Sequence, residues 1–169
     1  MLRLISYLFL APLSTAAGII KEYLATATQS KMVDFAIYLR PKLCADEAEA
    51  AERLLDLRRA APELSANHTD MEALVEGPIT VSIETKREES SSAHEANLQI
   101  GTWQAAQWKM LARQAADVHG SLLDLEFLPC LIVYGHEWYF AASSREGNKT
   151  VRVFLCLHRP PPTYTSYAC

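Results

Sequence analysis

Glu84, Thr85 and Lys86 end an extended run, Ile79-Thr80-Val81-Ser82-Ile83-Glu84-Thr85-Lys86-Arg87, and carry the most legible chemistry in this sequence. Side chains alternate faces along a strand, so Ser82, Glu84 and Lys86 share one side while Ile79, Val81 and Ile83 are expected on a greasy opposite side. A carboxylate and an ammonium two residues apart can share one small site at the mouth of such a strand. A second run, Met32 to Leu39, contains a single acid, Asp34, and alternation turns it away from Val33, Phe35, Ile37 and Leu39. When the two runs pair, Asp34 and Glu84 converge as two oxygen ligands for a hard divalent cation, with Lys86 beside them. The plain alternative is a Glu and a Lys on the solvent face of an edge strand, which needs no function.

Three further places could add to such a site. Gln99 and Trp103 are four residues apart in a helical stretch and share a face with Gln107. That face either lines a polar site or is a core stripe in which Trp103 and Trp108 are anchors and Gln99 is a buried, satisfied amide. Asn67-His68-Thr69-Asp70 precedes the central strand and reads as a turn or cap, or as a place where His68 assists a metal or phosphate. In Gly135-His136-Glu137-Trp138, alternation puts His136 and Trp138 on one face and Glu137 on the other, leaving His136 open between a catalytic and a structural role.

The elements that must position these residues follow from punctuation and periodicity. Gly77-Pro78 introduces the Glu84 strand, and the polar run from Glu88 to Ser92 ends it. Gly18 to Thr28 predicts a helix with Ile19, Ile20, Tyr23, Leu24 and Ala27 on one stripe and Glu22 opposite. Ala45 to Ala60 predicts a second helix, stopped by Pro62, inserted between the two acid-bearing strands. Ser92 to His119, closed by Gly120, is the longest helical stretch. Leu128 to Tyr134, His136 to Ala142 and Thr150 to Leu157 read as strands, the first buried on both faces. The expectation is one α/β (α+β) domain over residues 1–159, a mixed β-sheet flanked by helices, with a flexible tail at 160–169.

The ordered set resembles the PD-(D/E)XK nuclease superfamily. Val33-Asp34 stands for its Pro-Asp, Glu84-Thr85-Lys86 for its (Glu/Asp)-x-Lys, and Gln99 to Trp103 for the Gln-x-x-x-Tyr helix motif of part of that superfamily, with Trp for Tyr. Residues from about 30 to 153 are similar to a group of fungal proteins classed as PD-(D/E)XK nuclease-like. The resemblance implies a restriction-endonuclease-like fold and a metal-dependent phosphodiester hydrolase. It further implies Mg²⁺ or Mn²⁺ on Asp34 and Glu84, water activation at Lys86, and Gln99 positioning water or substrate, with Lys109, Arg113 and Arg87 as phosphate contacts. A catalytically inactive relative that binds a partner in a fungal pathway fits the same resemblance.

Bulk properties narrow these readings. Half of the 169 residues are hydrophobic and 21% are charged, as in a globular protein. The net charge of -4 has the wrong sign for nucleic-acid binding by bulk electrostatics, so such binding would rest on a local patch or a metal. The apolar stretch from Leu4 to Leu10 is too short to span a bilayer. The resemblance implies a packed first helix here, in an intracellular, nuclear or cytoplasmic protein; the stretch also passes for a secretory leader, which sequons at Asn67 and Asn148 would suit. Cys44, Cys130, Cys156 and Cys169 are too dispersed for a zinc cluster, and Walker, dinucleotide and nucleophile-elbow glycine motifs are absent.

Overall fold

Val, Ile, Leu and Tyr crowd the extended runs, and these runs pair into one six-stranded sheet in the computed structural model. The structure describes residues 8–12, 18–24, 32–39, 48–87, 92–146 and 149–158. The strands are β1 (Leu8–Pro12), β2 (Phe35–Leu39), β3 (Ile79–Lys86), β4 (Leu128–Tyr134), β5 (Glu137–Glu146) and β6 (Lys149–His158), and they lie in sequence order. Every neighbouring pair is antiparallel except β3 and β4, which are parallel. A parallel pair needs a long crossover, and helix α2 (Ser92–Asp117) provides it. The mixed sheet with helices is the α+β arrangement expected from the sequence.

The N-terminal run departs from expectation. Leu8–Pro12 is an edge strand paired to β2 rather than a helix, a position that tolerates Pro12. Nor do residues 18–24 form an α-helix: Ile19 makes a bridge to Thr69, the Ile20 N–H donates to the His68 carbonyl at 2.9 Å, and Lys21–Tyr23 is a single 3-10 turn. Backbone groups held by a distant segment are not free to start a helix. Ile19, Ile20 and Tyr23 are nevertheless buried, so the expected apolar stripe is real although its geometry is not. The remainder of that stretch, the first seven residues, Asn148 and the tail from 159 lie outside the described residues.

Helix α1 (Ala48–Ala60) sits between β2 and β3 in the chain and buries only Ala51 within it. Its insertion does not prevent pairing, because β2 and β3 are joined from Phe35 opposite Ile83 to Tyr38 opposite Ile79. The face of β3 that α2 covers is the polar one. Ile79 is buried as expected, but past it Ser82 and Glu84 are buried while Val81 and Ile83 are half-buried, the reverse of the expected split. The cause is size: Ala36, Ser82, Cys130, Ala141 and Ser143 are small and buried, and large α2 side chains such as Trp103 and Trp108 fill the space above them.

The end of α2 is a Schellman turn, with Gly120 N–H bonded to Ala115 O at 2.7 Å and His119 N–H to Ala116 O at 3.1 Å. His119, not Gly120, takes the left-handed conformation, at φ 51°. At the start of β3, a methyl group added to Gly77 would lie 2.0 Å from the Leu39 carbonyl oxygen. The same junction is tied by the Leu39 N–H to the Pro78 carbonyl. Gly77→Ala must therefore push apart the ends of β2 and β3. It is expected to cost about 1–3 kcal/mol or more, visible as a lower midpoint in urea unfolding monitored by circular dichroism.

Candidate active site

The polar face of β3 has to be satisfied by what packs on it, and α2 does this with amide and indole donors. Trp103 Nε1 donates to Ser82 Oγ at 3.0 Å, Gln107 Nε2 to Ile79 O at 3.0 Å, Gln104 Nε2 to Leu128 O at 3.1 Å and Trp108 Nε1 to Ser143 Oγ at 3.0 Å. Gln99 Nε2 reaches Met32 O, just ahead of β2, at 3.0 Å. One helix is thus fastened to β3, β4, β5 and the segment that leads into β2. Two residues past Ser82, the pattern fails. Glu84 is fully buried, its Oε1 accepts from Lys86 Nζ at 2.5 Å, and its Oε2 has no hydrogen-bond partner. A buried polar atom without a partner costs about 1–3 kcal/mol, more when charged.

Asp34 lies just before β2, beside this carboxylate. Its N–H donates to Ile83 O at 3.1 Å, and its Oδ2 accepts from the Thr85 N–H at 2.7 Å and the Thr85 hydroxyl at 2.6 Å. Both bonds land on one oxygen, and among the described residues none is bonded to Oδ1. The middle residue of Glu-Thr-Lys thereby gains a role: Thr85 orients the acid of the neighbouring strand. The structure brings Asp34, Glu84 and Lys86 together at one end of β3, with Gln99 pinning the chain that leads into Asp34.

Burial drives the Glu84 carboxyl upward from its ordinary 4.5 to about 7, the charge of Asp34 adds to the rise, and the hydrogen bond and charge of Lys86, with the backbone of Asp34, oppose it. Proton or cation, something positive is needed at this carboxyl. Two carboxylates, one of them with an orphaned oxygen, are hard oxygen donors, the set that suits Mg²⁺ or Mn²⁺. Asp34 and Glu84 are the residues that would hold such an ion. Among the described residues no three His, Cys, Asp or Glu side chains cluster as a ready cage, so water or substrate oxygens would complete the coordination.

Of the other sequence candidates, His136 lies at this end of the sheet, in the turn where the Gly135 N–H donates to Lys86 O at 3.0 Å. Trp103 is a fully buried anchor whose ring meets the His68 ring edge to face at 4.2 Å between centroids. His68 is fully buried with neither ring nitrogen hydrogen-bonded, and burial drives its pKa from 6.5 to about 3, so it is neutral. Its neighbour Asn67 knots the loop ahead of β3, donating to Leu74 O at 2.6 Å and Gly77 O at 2.7 Å and accepting from the Ile79 N–H at 2.9 Å. In this fold Asn67 cannot carry a glycan. His136 is exposed in the β4–β5 turn, where Gly135 has φ 55°, and β5 begins only at Glu137. Lys109 donates to Leu24 O at 3.1 Å. Ten residues of helix put it about 15 Å along α2 from Gln99. Arg113, one turn further, lines a separate cavity of about 490 Å³ with Tyr23 and Leu57, and Glu22 is exposed on the 3-10 turn that carries Tyr23. None of these three serves the Glu84 end.

The neighbouring strands add residues that the sequence did not single out. Lys86 is opposite Tyr134 on β4, and Tyr134 is opposite Glu137 on β5. Tyr134 and Tyr139 meet edge to face at 5.6 Å between centroids, and the Tyr139 hydroxyl donates to Glu137 Oε2 at 2.5 Å. Burial and the Glu84 charge both raise the Tyr134 pKa above 10.0. Alternation from Leu128, Cys130 and Ile132 marks the face of Tyr134, but the register against β3 is a long-range fact that no local pattern carries.

These shifts have opposite consequences for stability. The folded pKa of Glu84 lies above its unfolded value, so its contribution is complete below pH 4.5 and is lost as pH rises through about 7. That loss is on the order of 3 kcal/mol for a shift of this size. His68 behaves in reverse: its contribution is complete above pH 6.5 and is lost as pH falls toward about 3. Urea midpoints measured from pH 4 to 9 without divalent cation are expected to decline on the alkaline side in the wild type. Glu84→Gln should flatten that decline and leave the acid-side loss in place.

A family model of the PD-(D/E)XK nuclease superfamily matches residues 3–159. No curated protein and no solved structure matches. With the matched span covering most of the chain, and the Asp, Glu and Lys of its namesake motif gathered at one end of β3, the chain belongs to the PD-(D/E)XK nuclease superfamily.

Proposed function

We propose that this protein hydrolyses phosphodiester bonds with Mg²⁺ or Mn²⁺ held by Asp34 and Glu84. The observation that supports this most is the buried Glu84 carboxylate, with Lys86 on one oxygen and nothing on the other, beside an Asp34 that Thr85 has already oriented. A divalent ion bound there would lower the pKa of a coordinated water and neutralise charge that builds on the phosphate. Lys86 orients the attacking water and offsets the same charge. Gln99 acts as a positioning residue, since its amide donates to Met32 O and so fixes where Asp34 leaves the chain. With a net charge of -4, affinity for a nucleic-acid substrate would come from this site rather than from the whole surface.

The second reading is a nuclease-like fold that binds a partner without hydrolysis, as an accessory protein in a fungal pathway. The acidic net charge favours it, and so does the absence of a ready three-residue cage among the described residues. Calorimetric titration of Mg²⁺ and Mn²⁺ into the wild type, Asp34→Ala and Glu84→Ala separates the two. Hydrolysis predicts saturable binding that both substitutions weaken at least tenfold. It also predicts tighter binding as pH rises through about 7, because the Glu84 proton must leave first. Absence of binding at millimolar ion, with or without a phosphodiester present, would move the assignment to the second reading.

A further inference from the structure

What a carboxylate can offer a metal ion depends on what its oxygens already hold. Its two oxygens carry about four lone-pair sites between them. Asp34 Oδ2 accepts from the Thr85 N–H at 2.7 Å and from the Thr85 hydroxyl at 2.6 Å, so both of its sites are taken. Glu84 Oε1 accepts from Lys86 Nζ at 2.5 Å, and an ammonium at that oxygen repels a second cation from it. What remains is Glu84 Oε2, buried and without a partner, and Asp34 Oδ1, to which none of the described residues is bonded. Each acid therefore presents one oxygen.

The two acids are also level with each other. Phe35 is opposite Ile83 on an antiparallel pair, so one step further brings Asp34 beside Glu84. The Asp34 N–H bonds Ile83 O at 3.1 Å while its carboxylate bonds Thr85, and Asp34 thereby grips the β3 backbone on both sides of Glu84. Thr85 itself is exposed, so the packing of the core places no demand on its hydroxyl. That hydroxyl has one observed task, which is to hold Asp34 Oδ2.

We infer that Thr85 is a positioning residue that sets the ion preference of this site: by holding Asp34 Oδ2 it keeps Asp34 to a single ligand oxygen, which favours Mg²⁺ over Ca²⁺. Mg²⁺ demands near-ideal octahedral geometry and keeps several of its waters, so one oxygen from each of two carboxylates suits it. Ca²⁺ takes roughly 6–8 oxygens and readily draws on both oxygens of one carboxylate. Here the second oxygen is engaged by Thr85 at one acid and by Lys86 at the other. The inference rests on the reading of Asp34 and Glu84 as metal ligands and not on hydrolysis. It gives a task to the middle residue of Glu84-Thr85-Lys86, the one whose type the motif leaves open.

The test titrates Mg²⁺ alone and Ca²⁺ alone into the full chain by calorimetry, at a pH above the Glu84 value of about 7. Wild type, Thr85→Val, Thr85→Ala and Thr85→Ser are compared, with a urea midpoint for each. Thr85→Val keeps the branched shape and the backbone N–H bond and removes only the hydroxyl bond. The wild type is expected to bind Mg²⁺ more tightly than Ca²⁺. In Thr85→Val that ratio should fall about tenfold, the scale for loss of a group that orients a metal ligand, through weaker Mg²⁺ and undiminished Ca²⁺ binding. Thr85→Ala should match Thr85→Val, and Thr85→Ser, which restores the hydroxyl, should keep the wild-type ratio. An unchanged ratio in Thr85→Val, equal weakening of both ions, a wild type that prefers Ca²⁺, or a Thr85→Ser that behaves like Thr85→Val would each overturn the inference and leave Asp34 and Glu84 as metal ligands. A wild type that binds neither ion, with or without a phosphodiester present, sinks the metal reading itself and the inference with it.

Discussion

The structure turns on a helix that packs against a polar sheet face. Ser82 and Glu84 lie under α2, where a simple amphipathic pairing would place apolar residues. Dispersion and burial still hold the layers together through Trp103, Ile100, Met110 and their small partners on the sheet. The bonds from Gln99, Trp103, Gln104, Gln107 and Trp108 then fix one register of helix on sheet, since sliding α2 by a turn would strand several buried donors at once. Each such bond adds only about 1 kcal/mol net, so their weight lies in specifying one arrangement rather than in bulk stability.

Given that register, Glu84 has little freedom. It is buried because Ser82 is buried, and it follows the same face of the same strand. Hydrophobic replacement at this position would relieve an unpaired oxygen and a carboxyl driven toward neutrality, so keeping a glutamate here works against stability. Such local conflicts between fold and residue are where function is expected to sit. His68 also has unpaired buried atoms, its two ring nitrogens, and what separates it from Glu84 is charge. The imidazole is buried and neutral with its ring against Trp103, a burial that asks for no counter-charge.

Much of this is legible in the amino-acid sequence. Gly77-Pro78 and the alternation after it mark β3, the single acid in 32–39 marks Asp34, and the long Ala- and Gln-rich stretch marks α2 to within two residues of its end. What misleads is the equation of hydrophobic with buried. Alternation gives the period of β3 but not which face a helix will cover, and here the helix covers Ser82 and Glu84 rather than Val81 and Ile83. The segment at 18–24 misleads for a different reason: its periodicity is helical, yet its backbone is taken by residues 68 and 69, far away in sequence. Tyr134 escapes a reading of the sequence because its place opposite Lys86 depends on parallel pairing, and pairing is not written locally.

The two ends of β3 show how one strand serves both fold and chemistry. At its start, Asn67 uses its amide nitrogen twice and its oxygen once, and Gly77 lets the β2 end approach to contact. The side chain there is neutral and its groups are met, so that end can be rigid at any ordinary pH. At the other end the groups are charged, one oxygen is unmet, and the balance depends on whether a proton, an ammonium or a metal ion is present. Rigidity at the first end is what permits imbalance at the second. A strand free to shift would let Glu84 turn to water and satisfy itself, and the unmet oxygen would disappear.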